Sequence, residues 1–186
     1  MSESVLNPNE SLAIIQKVVN STRQDYHIQR KFYILWGMLI AVASFSQYAI
    51  LNQILSLPWF SPWILFPGIG LILSVFWGSS SKNSSLSYYN HFVLTMWFTL
   101  YIAMGLSLFI SLFNQISPFP FLLICVGIGT SISGFLMKNR LFVLCGIIFG
   151  LGAIYCVYLP IQQQLLLNGA CMIIGNVMPN LISHHV

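Results

Sequence analysis

The sequence predicts an all-α integral membrane bundle of about six transmembrane helices, preceded by a short amphipathic helix on the cytoplasmic side. Three observations predict it. Only 5% of the residues are charged against 57% hydrophobic, where a soluble domain carries about 25% charged. The apolar residues come in six long runs between short polar breaks, each near the roughly 20 residues a helix needs to cross a bilayer core. The basic residues fall beside alternate breaks only.

The elements follow in chain order. Residues 1–31 form a cytoplasmic segment in which Leu12, Ile15, Val19, Thr22 and Tyr26 recur every three and four residues, the spacing of an amphipathic helix. Pro8 with Asn9 or Ser11 suits its start. The six spans are read at 32–51, 58–77, 91–113, 118–137, 141–159 and 165–182. Between them lie Asn52–Leu57, the Ser- and Asn-rich stretch Gly78–Asn90, Asn114–Ser117, the three residues Lys138, Asn139 and Arg140, and a break holding Pro160 and Gln162 to Gln164. Residues 183–186 remain as a short tail.

Lys and Arg near span ends stay on the cytoplasmic side. Lys17, Arg23, Arg30 and Lys31 precede span one, Lys82 lies between spans two and three, and Lys138 and Arg140 lie between spans four and five. The other three loops carry none, which predicts an even number of spans with both termini in the cytoplasm. Phe32, Tyr33, Trp36 and Trp77 suit the inner interface, and Trp59, Phe60 and Trp63 the outer one. The first thirty residues lack a basic stretch followed by a short apolar core and cleavage site, so a retained N-terminus is expected. The amphipathic helix either rests on anionic headgroups and packs on the bundle or docks a cytoplasmic partner or a second copy.

Chemistry is scarce in these spans. No Asp, Glu, Lys or Arg lies between Phe32 and Trp77, His91 and Met137, or Leu141 and Ile182, which argues against a proton-coupled pump, a voltage sensor or an aspartyl intramembrane protease. The acidic residues are Glu3, Glu10 and Asp25, all before the first span, so a carboxylate site for Mg²⁺ is not expected. No GxSxG elbow is present. The pI near 9.0 comes without the dense basic surface of a nucleic-acid binder. Cys125, Cys145, Cys156 and Cys171 sit in apolar spans without metal or redox spacing. His91, His184 and His185 fall at the inner face, where an interfacial ring needs no ligand. No enzyme activity, cofactor, metal or nucleic-acid partner is expected.

What remains inside the spans is small or uncharged. Gly146 and Gly150 form a GxxxG pair in span five, and Gly127, Gly129 and Gly134 with Thr130, Ser131 and Ser133 make a small-residue face in span four; both suit close helix packing or a contact between copies. Pro67, Gly68 and Gly70 in span two and Pro179 in span six are candidate kinks. Gln47, Asn168 and Asn176 bond between helices or line a path for a small neutral solute. A weak repeat is also visible: WFSPWILFPGIG from Trp59 to Gly70 aligns without gaps with PFPFLLICVGIG from Pro118 to Gly129.

The segment Ser11 to Leu51, with Pro67 to Gly70, the GIGT of Gly127 to Thr130 and the ending Gly175 to Asn180, resembles a group of small six-span membrane proteins of Bacteroidota. In that group a short SLxIIxxMIxxT-like helix leads into an FxLWGW-like first span. Here Met38 stands where the group has a second Trp, and Asn176 and Asn180 stand where it has Tyr and Gly. The resemblance implies a multi-pass protein of a bacterial inner membrane and supplies no activity and no site. Two functions stay open: a non-enzymatic protein acting through protein or lipid contact, or a small transporter or channel for an uncharged solute.

Overall fold

The computed structural model describes residues 8–55, 61–80 and 88–182, with side chains at 29–55, 61–77 and 91–182. Every regular element among them is helical: α1 (Pro8–Leu51), α2 (Pro62–Ser80), α3 (Tyr88–Asn114), α4 (Phe119–Leu136), α5 (Arg140–Cys156), α6 (Ile161–Met172), a π-helical turn (Ile173–Val177) and α7 (Met178–Ile182). Among the described residues, four stretches are long and apolar enough to cross a membrane: Gln29–Leu51, His91–Asn114, Phe119–Leu136 and Ile161–Ile182. The apolar helices Pro62–Trp77 and Arg140–Cys156 are shorter.

Several helix boundaries differ from those of the expected spans, α2 running on to Ser80 and α3 beginning at Tyr88 among them. The separation at residues 31 and 32 does not break the chain, because α1 runs as one helix of 44 residues. The charges that end the apolar run are good helix formers, so they change the medium a helix suits without ending the helix. The stripe from Leu12 to Tyr26 lies outside the described side chains, as do Trp59, Phe60, Lys82, His184 and His185. The glutamine run belongs to α6, which starts at Ile161 rather than 165, and α5 ends at Cys156 rather than 159.

Four helices make the centre. The α4–α5 pair is the closest, with α1 against α6 and the π turn and α5 beside α6. Leu123, Phe149, Ala153, Cys156, Leu165 and Met172 fill the space between them. Outside this group α2 packs on α1, and α3 packs on α4. Tyr33 donates to Ser133 Oγ at 2.5 Å and its ring meets Phe142 edge-on. The start of the apolar part of α1 therefore lies beside the α4–α5 turn, bringing Arg30, Lys31, Lys138 and Arg140 to one end of the bundle. Ser117 and Gln164 mark the opposite end, where the Ser117 hydroxyl bonds Gln164 Oε1.

The first hairpin (α1–α2) and the second (α3–α4) repeat one another in detail, well beyond the sequence match. Helices α1 and α3 both end in Asn-Gln-Ile. Asn52 and Asn114 donate from their side chains to the carbonyls four residues back, Tyr48 at 2.8 Å and Ile110 at 2.9 Å. Gln53 and Gln115 are left-handed, with φ of 58° and 54°. The next residues, Ile54 and Ile116, reach back to Ala49 and Ser111, the wrapped ending that satisfies carbonyls a helix terminus would strand. Further along, Gly70 lies under Trp36 and Leu39, and Gly129, its aligned position, lies under Trp97 and Leu100. One turn later the aligned serines diverge in partner: Ser74 accepts from Trp36 within its own hairpin at 3.2 Å, whereas Ser133 accepts from Tyr33 of α1, in the other hairpin.

Candidate functional site

The small residues expected to pack helices divide into two groups. A Cβ on Gly127 would stand 3.0 Å from the Gly146 carbonyl oxygen, and one on Gly134 would stand 2.7 Å from the Val143 amide nitrogen. A Cβ on Gly146 would overlap the Ser131 hydroxyl. Gly127, Ser131 and Gly134 thus form the groove that lets α5 approach α4, and Gly129 serves α3 on another face. Gly150 meets that interface with its backbone only: its amide nitrogen lies 3.5 Å from where a Cβ on Gly127 would stand, while a Cβ on Gly150 itself would meet nothing within 4 Å. Four residues advance a helix by about 40° beyond a full turn, enough to turn the Cβ direction of Gly150 away from the seam into which that of Gly146 points.

The expected kinks also separate. Pro67 lies within α2, which continues as helix from Pro62 to Ser80, and Gly68 faces open space. Pro179 lies in α7, two residues after the π turn, whose end is marked by the Met178 amide bonding the Ile173 carbonyl five residues back.

That turn has a consequence for the polar residues. Gln164, Asn168, Met172, Asn176 and Asn180 recur every four residues and all are buried. In an unbroken α-helix four such steps drift by about 160° around the axis. A π turn, wound more loosely at about 4.4 residues per turn, takes back about 90° of this. The result is a column of four carboxamides and one thioether on a single face of the Ile161–Ile182 rod.

Each amide is anchored. Gln164 Nε2 donates to the Leu159 carbonyl at 2.7 Å. Asn168 Nδ2 donates to Ser44 Oγ on α1 at 2.8 Å, and Ser44 in turn donates to the Ile40 carbonyl. Asn176 Oδ1 accepts from Thr130 on α4 at 3.4 Å, while its nitrogen reaches the Met172 sulfur at 3.6 Å. Asn180 Nδ2 donates to the Asn176 carbonyl at 2.6 Å. Against this column Gly37 and Gly169 admit Asn176 and Phe45 respectively. Asn168 Oδ1 and Asn180 Oδ1 are buried and accept no hydrogen bond from the protein.

The structure therefore brings two of the three expected polar residues, Asn168 and Asn176, onto one line and leaves the third, Gln47, half-buried on α1. Sequence reasoning did not single out Gln164, Asn180, Ser44, Thr130 or Tyr33 as members of the site. The available signal was the four-residue spacing of amides in span six. A separate open groove of about 350 Å³ lies between α3 and α4, lined by Phe92, Thr95, Met96, Thr99, Leu100 and Ile132. Thr95 and Thr99 turn their hydroxyls to carbonyls of their own helix, so the groove offers apolar surface. All four cysteines are free thiols, and no group of three His, Cys, Asp or Glu lies together among the described residues.

Comparisons with protein-family models, with curated proteins and with solved structures return no match to this chain.

Proposed function

We propose that this chain is a six-span protein of a bacterial inner membrane, with both termini cytoplasmic, that works without catalysis through contacts with protein or lipid. The distribution of polarity carries the reading. Ile64, Ile72, Phe98, Leu112, Phe135, Leu151 and Tyr158 are exposed around the bundle while asparagines, serines and threonines are buried within it, the reverse of a soluble fold. The buried polar groups are amides and hydroxyls, which neither take nor give a proton near neutral pH. Pro62–Trp77 and Arg140–Cys156 complete the six spans, each about 25 Å long by helix rise and extended by flanking residues toward the full core. The resemblance to the six-span proteins of Bacteroidota supports the same architecture. At the basic end, residues 8–28 prolong α1 by about 30 Å, the natural contact for headgroups, a cytoplasmic protein or a second copy.

Reporter fusions after Asn114 and Lys138 test the topology, with the first expected outside and the second inside; both on one side would refute six spans. Purification in native lipid followed by mass spectrometry is expected to retain a bound protein or specific lipid. A lone monomer with neither would remove the interaction reading.

A second reading, a passage for an uncharged solute, is favoured by one observation. Two carbonyl oxygens in the column have no donor from the protein.

A further inference from the structure

Asn168 and Asn180 stand twelve positions apart on one face, about 18 Å along the rod. Each is held through its nitrogen, Asn168 by Ser44 and Asn180 by the Asn176 carbonyl, which fixes where its oxygen points. Turning Asn180 over would lose that bond, and turning Asn168 over would require Ser44 to give up its bond to the Ile40 carbonyl. Both oxygens are acceptors without a partner, so the complementary ligand is a hydrogen-bond donor. The sequence has no Asp or Glu after Asp25, and a cation would leave its hydration shell for two distant carbonyls without a side-chain counter-charge. A neutral donor meets no such penalty. Side chains close over both asparagines, which restricts the ligand to the smallest donors. Between the stations lies Met172, buried and unbranched, a side chain that changes shape readily.

We propose that Asn168 and Asn180 are two stations for a water-sized neutral donor, water or ammonia, on a path that Met172 gates. The inference rests on the second reading above. Its test uses the full chain in liposomes with rapid mixing: shrinkage for water, an internal pH dye for ammonia, and glycerol and K⁺ as larger and charged controls. Water or ammonia is expected to cross several-fold faster than in protein-free liposomes, with glycerol and K⁺ unchanged; the two assays say which donor is carried. Asn168→Leu and Asn180→Leu are each expected to return the rate to the protein-free value, and Met172→Ala to raise it. Ser44 keeps its bond to Ile40, so Asn168→Leu strands no hydroxyl. Should that variant lose the wild-type elution profile, Asn168→Ser removes the same carbonyl. Flux that survives both asparagine variants overturns the stations and leaves a solute path elsewhere in the chain. Wild-type rates equal to protein-free liposomes for water, ammonia and glycerol overturn the stations and the transport reading together.

Discussion

In the first hairpin the leading helix, α1, faces the centre and α2 lies outside it; in the second the order is reversed, with α4 at the centre and α3 outside. The two hairpins nevertheless share their helix endings, their tryptophan over glycine and their serine one turn on. Aligned positions on α2 and α4 show what the reversal changes. Ile64 is 77% exposed and its counterpart Leu123 is 0%. Gly68 faces open space where Gly127 touches the backbone of α5. Leu71 and Val75 replace Thr130 and Gly134. Local devices therefore close a hairpin, and the size of the residues on the outer face of its second helix decides whether another helix can join it.

The largest effect should separate the two aligned glycines. Gly127→Leu must push α5 off α4, and overpacking against backbone is expected to cost about 3 kcal/mol, whereas Gly68→Leu should stay within about 0.5 kcal/mol; thermal unfolding of the purified protein measures both. Equal costs would mean that the burial difference is not what distinguishes the helices. A middle effect concerns the aligned serines. Tyr33→Phe removes a buried hydrogen bond to Ser133 and is expected to cost about 1.5 kcal/mol, against about 0.5 kcal/mol for Trp36→Tyr, whose bond to Ser74 is half-exposed. The smallest should be shared. Gln53→Gly and Gln115→Gly relieve left-handed backbone, and each is expected to stabilise by about 1 kcal/mol or less. A gain at only one of them would break the equivalence of the two endings.

The apolar runs made the helices and their order legible, because hydropathy over about 20 residues is a strong signal. The small face of α4 could likewise be read, since Gly127, Ser131 and Gly134 share a helical face. The column was harder. Gln162 to Gln164 reads as a polar break, yet only Gln164 turns inward, which a run of like residues conceals. The partners Ser44 and Asn168 lie 124 positions apart, beyond any local pattern. On a regular helix Asn180 stands about 120° around the axis from Asn168, and the π turn that offsets most of this carries no hydropathy signature. Continuity of α1 was hidden for a related reason: Lys17, Arg23, Arg30 and Lys31 interrupt apolarity without opposing helix.

That continuity has a mechanical consequence. Tyr33, tied to Ser133, lies 25 positions from the start of α1, about 38 Å along an unbroken helix. A helix held at one end and extended at the other is a lever. A tilt of about 5° about Tyr33 would sweep the far tip through roughly 3 Å. A force on residues 8–28 would therefore reach the bundle with a long arm, and a small rearrangement at Tyr33 would be displayed, enlarged, at the other end of the same helix.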